Sequence, residues 1–157
     1  MKPVAAVLIV LLVAPALLAD RRKIIIDDKV DFSRIKTFLI RDGRATTIRP
    51  ELDNRLFLAN ISDAIRRQLS AKGLTESPDR PDVTVSFTIG QDRPNGPSVI
   101  FDHGTLVIEM TARDTAASIW HGVYTDETGT PARVADKMPG KVHTLLSEFP
   151  PKKTKQP

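Results

Sequence analysis

The run Val83-Thr84-Val85-Ser86-Phe87-Thr88-Ile89 alternates apolar and polar residues without a break. A period of two puts Val83, Val85, Phe87 and Ile89 on one side of a strand and Thr84, Ser86 and Thr88 on the other. One packed face and one wet face is the usual condition of an antiparallel sheet covered by helices on a single side. The alternation returns in Thr105–Arg113, with Leu106, Ile108, Met110 and Ala112 inward, and again in Ser118–Thr125. The turn residues Asp114–Ala117 between these two runs predict a hairpin. Nearer the start, Lys23–Asp27 reads as a short buried strand and Ile35–Ile40 as a second one, ended by Asp42-Gly43. The polar turn between them has Phe32 as its apolar anchor.

Two segments change to a helical period. Leu58, Ile61, Ile65 and Leu69 recur at spacings of three and four, while Asp63, Arg66, Arg67 and Ser70 fall mostly on the other side. Pro50 suits a first helical position, Glu51 and Asp53 suit the first turn, and Gly73 followed by Leu74 suits the stop. Val134, Met138, Val142, Leu145, Leu146 and Phe149 form a second stripe, but Pro139-Gly140 cuts through it. Proline inside a helix costs about 3 kcal/mol, so the pattern predicts a helix from about Pro139 to Glu148 with a separate turn before it. Gly129-Thr130-Pro131 is a turn that could start a helix. The fold class expected is a single α+β domain: an antiparallel sheet of about five strands with two helices packed on one face.

The N-terminus bears on compartment. Lys2 precedes Val4–Ala19, sixteen residues without a polar side chain and interrupted by Pro15. That is short for a bilayer core of about 30 Å, and the small residues up to Ala19 suit signal-peptide cleavage. The division expected is a signal peptide over residues 1–19, a domain over 20–149 and a disordered Lys/Pro tail over 150–157, giving a periplasmic or secreted protein. The alternative is an uncleaved segment that anchors the domain at the inner membrane. There is no cysteine, so disulfides and thiolate chemistry are excluded. Without Lys2 the chain carries 22 basic against 19 acidic residues, a small and scattered excess. No dense basic stripe with interleaved aromatics exists, so nucleic acid is not an expected partner.

Several phrases point to a known family. Asp31-Phe32-Ser33 with Lys36-Thr37, Gly104-Thr105-Leu106, Trp120 with Gly122, and Phe149-Pro150-Pro151 follow one another along the chain. In this order they resemble the domain-of-unknown-function family 4136 over about residues 24–151. The resemblance implies a small bacterial envelope protein, often a lipoprotein, with no known activity. Family lipoproteins carry a cysteine directly after the signal. Asp20 stands there, so an unlipidated form is implied.

Candidate chemistry is sparse. His121 lies between the only Trp and the only Tyr, Trp120 and Tyr124, and Glu109 lies on the partner strand of the expected hairpin. If both face the same way, a Glu109–His121 pair can move a proton, and a hydrolase-like enzyme using His121 is one alternative. The simpler reading is a partly exposed strand histidine. His103 and His143 share no ligand spacing with it, and Asp27–Asp31 lacks the pattern of a calcium loop, so neither a metal nor another cofactor is expected. The primary expectation is a non-enzymatic binding or scaffolding domain that meets an envelope protein, a peptide or a glycan through its open sheet face or a sheet edge. Its candidate contact residues are Thr84, Ser86, Thr88, Trp120, His121 and Tyr124. Membrane contact is expected only if the N-terminal segment stays attached.

Overall fold

The computed structural model describes residues 21–41, 43–46, 53–90, 105–125 and 130–151. The expected signal segment, Pro50, Glu51, His103 and the lysine tail lie outside them. In chain order the elements are β1 (Arg21–Ile26), a 3-10 turn (Phe32–Arg34), β2 (Thr37–Ile40), β3 (Arg44–Thr46), α1 (Arg55–Ala71), β4 (Thr75–Glu76), β5 (Val83–Gly90), β6 (Leu106–Ala112), β7 (Ser118–Thr125) and α2 (Pro131–Leu146).

The seven strands form one mixed sheet in the order β1-β7-β6-β5-β2-β4, with β3 beside the far half of β5. The β5–β6, β6–β7 and β7–β1 pairs are antiparallel, whereas β2, β3 and β4 all join in parallel. This corrects the expectation of a purely antiparallel sheet of about five strands. Helix α1 returns the chain to the end from which β2 started, so the next full strand must run parallel to β2. Alternation in β5 reports only that one face is covered, and a mixed sheet with helices on one side meets that condition equally well.

Both helices lie on the same face of the sheet. The core joins Val83, Val85, Phe87 and Ile89 of β5, Leu106, Ile108 and Met110 of β6, and Trp120 and Tyr124 of β7 to Ile61, Ile65 and Leu69 of α1 and to Val134, Met138, Val142, Leu145 and Leu146 of α2. Asn54 caps α1 by accepting the Phe57 N–H at 2.7 Å, which moves the start beyond the expected proline. The stop is as expected. Gly73 takes φ +85°, its N–H reaches the Ser70 carbonyl, and the Leu74 N–H reaches the Leu69 carbonyl, which satisfies two of the last carbonyls.

Two expectations fail for energetic reasons. Helix α2 is continuous from Pro131, with Thr130 as its cap, and Pro139 lies inside it. Pro139 and Gly140 are exposed, and the buried stripe on the opposite side holds the helix together. Strand β1 was expected to be buried, but it is an edge, and Ile25 and Ile26 remain 51% and 40% exposed.

Candidate functional site

Phe32, Trp120 and Phe149, from three of the phrases that resemble the family, meet on the helix side. Trp120 is completely buried, and its ring meets Phe149 edge-on at 6.1 Å; Phe149 meets Phe32 in the same way at 5.9 Å. Gly122 lies two residues along β7 on the same face, under the indole. A Cβ there would stand 2.9 Å from Cζ3 of Trp120, 3.2 Å from Cζ2 and closer still to Cη2. The glycine of the Trp-x-Gly phrase therefore makes room for the ring beside it. Asp31 closes the Asp-Phe-Ser turn by accepting from the Ser33 N–H and hydroxyl.

The Lys-Thr phrase is structural as well. The Asp82 carboxylate accepts the N–H groups of Lys36 and Thr37 at 2.8 and 2.9 Å, and the Thr37 hydroxyl accepts the Asp82 N–H at 2.9 Å. This reciprocal pair pins the loop that carries the chain from β4 across β2 to β5. The backbone N–H of Lys36 is the main cause holding the Asp82 carboxyl below its ordinary value; desolvation opposes it, and Thr37 and the Arg113 charge add to the lowering.

Two sequence candidates for surface contact thereby move to the core. Trp120 is buried against Phe149, and Tyr124, 6% exposed, lies under the Lys141 ammonium at 5.7 Å from the ring centre. Neither can act as a contact residue, because the face they occupy is the one the helices cover. The other four stay on the opposite, open face. Thr84, Ser86 and Thr88 are half-buried there, in register with Thr111, Glu109 and Val107 of β6.

His121 also faces the open side, directly opposite Glu109 in the hairpin. Its Nδ1 is 4.0 Å from Glu109 Oε1, too far for a hydrogen bond, and both side chains are partly exposed. Among the described residues no third group orients the imidazole, so the arrangement is a loose surface ion pair when His121 is charged. His143 lies on α2 with its Nδ1 3.1 Å from Gln68 Oε1. Among the described residues no group of three or more His, Asp or Glu side chains could hold a metal ion.

The structure adds basic residues that sequence reasoning missed. Between β2 and β3 the register gains one residue, a bulge, since Ile40 pairs with Val85 and Arg44 with Thr88, and the Arg41 N–H still bonds to the Val85 carbonyl at 2.9 Å. Gly43 is required because the Phe87 ring occupies the place of a Cβ. The bulge brings both Arg41 and Arg44 to the open face beside Ser86 and Thr88, and Arg113 rises at the end of β6. With Glu109 and the hydroxyls they line a shallow concavity of about 560 Å³. The only available signal was two arginines flanking Asp42-Gly43, which reads as a turn unless β3 is known to follow.

Similarity to known proteins supports this fold. A PDZ domain protein from Parabacteroides distasonis superimposes with a TM-score of 0.58 at 16% identity, over 86% of this chain but only 36% of that one. The chain thus spans about a third of that protein's length. PelC from Paraburkholderia phytofirmans, crystallised as a dodecamer, gives a TM-score of 0.55 at 11% identity over 82% of this chain and 96% of its own. At such identities the likeness is one of fold. No curated protein matches the sequence. The model of the family described as Domain of unknown function (DUF4136) matches residues 24–151, which hold all the phrases placed above, and the chain belongs to that family.

Proposed function

We propose that the protein is an exported, non-enzymatic binding domain of the cell envelope, and that its open sheet face is the surface that works. The observation that carries this is the concavity beside β5, where the Thr84, Ser86, Thr88 and Thr111 hydroxyls lie among Arg41, Arg44 and Arg113, with Glu109 as the acidic member. Guanidinium groups offer paired donors to carboxylates, and half-buried hydroxyls both donate and accept. This chemistry suits an extended acidic peptide segment. A glycan is less well suited, because the described part of that face has no exposed aromatic ring on which a sugar could stack. The 4.0 Å gap between His121 and Glu109 favours binding over proton transfer.

Export is supported by the apolar run Val4–Ala19, whose end carries the small residues Ala14, Ala16 and Ala19. Intact mass and N-terminal sequence of the protein from fractionated cells test it: a chain starting at Asp20 outside the membrane fraction is expected, and a full-length chain in the membrane overturns cleavage. Binding is tested by fluorescence anisotropy with a labelled oligoglutamate peptide. Reversing both charges with Arg41→Glu and Arg44→Glu should weaken binding by about tenfold or more, on charge-assisted contacts of roughly 1–2 kcal/mol each. Equal binding by wild type and the double variant overturns the assignment of the site.

A further inference from the structure

The outer edge of β1 has a charge pattern that is complementary to itself. Arg22-Lys23-Ile24-Ile25-Ile26-Asp27-Asp28 is basic, then apolar, then acidic, symmetric in position and opposite in sign about Ile25. Among the described residues β1 pairs only with β7, through Arg21–Ile26 against Trp120–Thr125. The Asp27 N–H bonds inward to the Ile119 carbonyl at 2.9 Å. By the alternation of an antiparallel ladder, Lys23 and Ile25 turn their peptide groups toward β7, as Asp27 does its N–H while its carbonyl accepts from Val30, and Ile24 and Ile26 turn theirs outward. An exposed apolar edge with free peptide groups is a template for another strand.

We infer that this edge is the docking site for a second copy of the chain, in an antiparallel β1–β1 pair centred on Ile25. A two-fold axis perpendicular to the sheet faces Ile25 with Ile25 of the second copy, Ile24 with Ile26 and Lys23 with Asp27, while Asp28 lies in the turn beyond the strand. The Ile24–Ile26 pairs are those whose peptide groups point outward and exchange hydrogen bonds. The Ile25–Ile25 contact is the close, non-hydrogen-bonded kind, and it covers the most exposed isoleucine of the edge. Arg22 also holds Glu148 at 2.9 Å, so Lys23–Asp27 is the main new ion pair.

Other registers are worse. Centring on Ile24 sets Lys23 against Ile25 and Arg22 against Ile26, with no acid opposite either. A parallel in-register pair sets Lys23 on Lys23 and Asp27 on Asp27. The favoured register closes as a dimer, leaves no further β1 edge to extend, and keeps the two open faces on one side. The inference does not depend on what those faces bind.

Sedimentation velocity of the purified chain across the micromolar range is the test, with circular dichroism showing that each variant is folded. Wild type should pass from monomer to dimer. Lys23→Asp alone and Asp27→Lys alone should each remain monomeric, because each sets like charges opposite one another. An equimolar mixture of the two should form a heterodimer, since the acid introduced at position 23 then faces the lysine introduced at position 27. Ile25→Lys, which sets two cations on the axis, should also be monomeric. A wild-type chain that stays monomeric, single variants that dimerise as wild type does, or a mixture that forms no heterodimer would each overturn the pairing.

Discussion

Replacing Gly122 with alanine adds one methyl group at a place the structure has filled with the indole of Trp120. The new carbon would lie 2.9 Å from Cζ3 and 3.2 Å from Cζ2, with Cη2 nearer still. Carbon pairs are at rest near 3.5–4.0 Å, so the ring or the strand must move by several tenths of an ångström. Trp120 has little room to do so, being fully buried and braced edge-on by Phe149. Overpacking of this kind costs about 1–3 kcal/mol, and the intrinsic gain of alanine over glycine in a strand returns roughly 0.5–1 kcal/mol. The expected net loss is about 1–2 kcal/mol. In urea unfolding followed by far-ultraviolet circular dichroism this should lower the midpoint by roughly 0.5–1 M with little change in slope. Trp120→Phe removes the outer six-membered portion of the indole that the methyl group strikes. It also removes an Nε1–H that has no acceptor among the described residues. In that background Gly122→Ala should cost less than about 0.5 kcal/mol, a clear departure from additivity. A Gly122→Ala protein as stable as wild type, or one equally destabilised in both backgrounds, would refute the steric account of the Trp-x-Gly phrase.

Other consequences can be checked with the same unfolding assay. Asp82→Ala leaves the N–H groups of Lys36 and Thr37 without their acceptor and should cost about 1–2 kcal/mol at neutral pH. Because the folded carboxyl of Asp82 titrates below its ordinary value, this contribution is fully present above the unfolded pKa. The difference between wild type and variant should therefore shrink as the pH falls below about 4, and a difference that persists in acid would contradict the assignment. Asn54→Ala removes the cap of α1 and should cost about 1 kcal/mol. Pro139→Ala restores a donor in the middle of α2 and should stabilise by about 1–2 kcal/mol, less than the full proline penalty because the unfolded chain also gains freedom. No gain there would mean that the helix is broken at that point.

Legibility in the sequence followed the range over which each cause acts. The hairpin of Thr105–Arg113 with Ser118–Thr125, the inward set Leu106, Ile108 and Met110, and the stop at Gly73-Leu74 depend on period and turn chemistry within a few residues, and the structure has them where they were expected. Strand direction is a long-range property. Nothing in Thr37–Ile40 says that it lies beside Val83–Val85, so the parallel half of the sheet could not be read. Strands as short as β3 and β4 carry no period at all. At Pro139 local propensity predicts a break, and packing of the stripe Val134, Met138, Val142, Leu145 and Leu146 against the sheet outweighs it. At the candidate site, alternation alone located Thr84, Ser86 and Thr88, but Arg41 and Arg44 reach the same face only through the bulge at Gly43. Trp120 and Tyr124 attracted notice as rare aromatics and proved to be core.

Packing and backbone capping thus account for the Asp-Phe-Ser, Lys-Thr and Trp-x-Gly phrases and for Phe149, and none of these contacts uses the open face. Contacts within the clasp formed by Phe32, Phe149 and Trp120 set stability. The hydroxyl and guanidinium groups across the sheet from it lie outside that clasp, so changing them should leave thermal unfolding nearly as it is.

The most direct measurement is the map of amide shifts in the ¹⁵N-labelled protein as an oligoglutamate peptide is added. The account expects the shifts to fall on Arg41, Arg44, Thr84, Ser86, Thr88, Glu109 and Thr111, and to vanish in the protein carrying Arg41→Glu and Arg44→Glu. Shifts confined to the outer surfaces of α1 and α2, or no shift on the open face at saturating peptide, would contradict it.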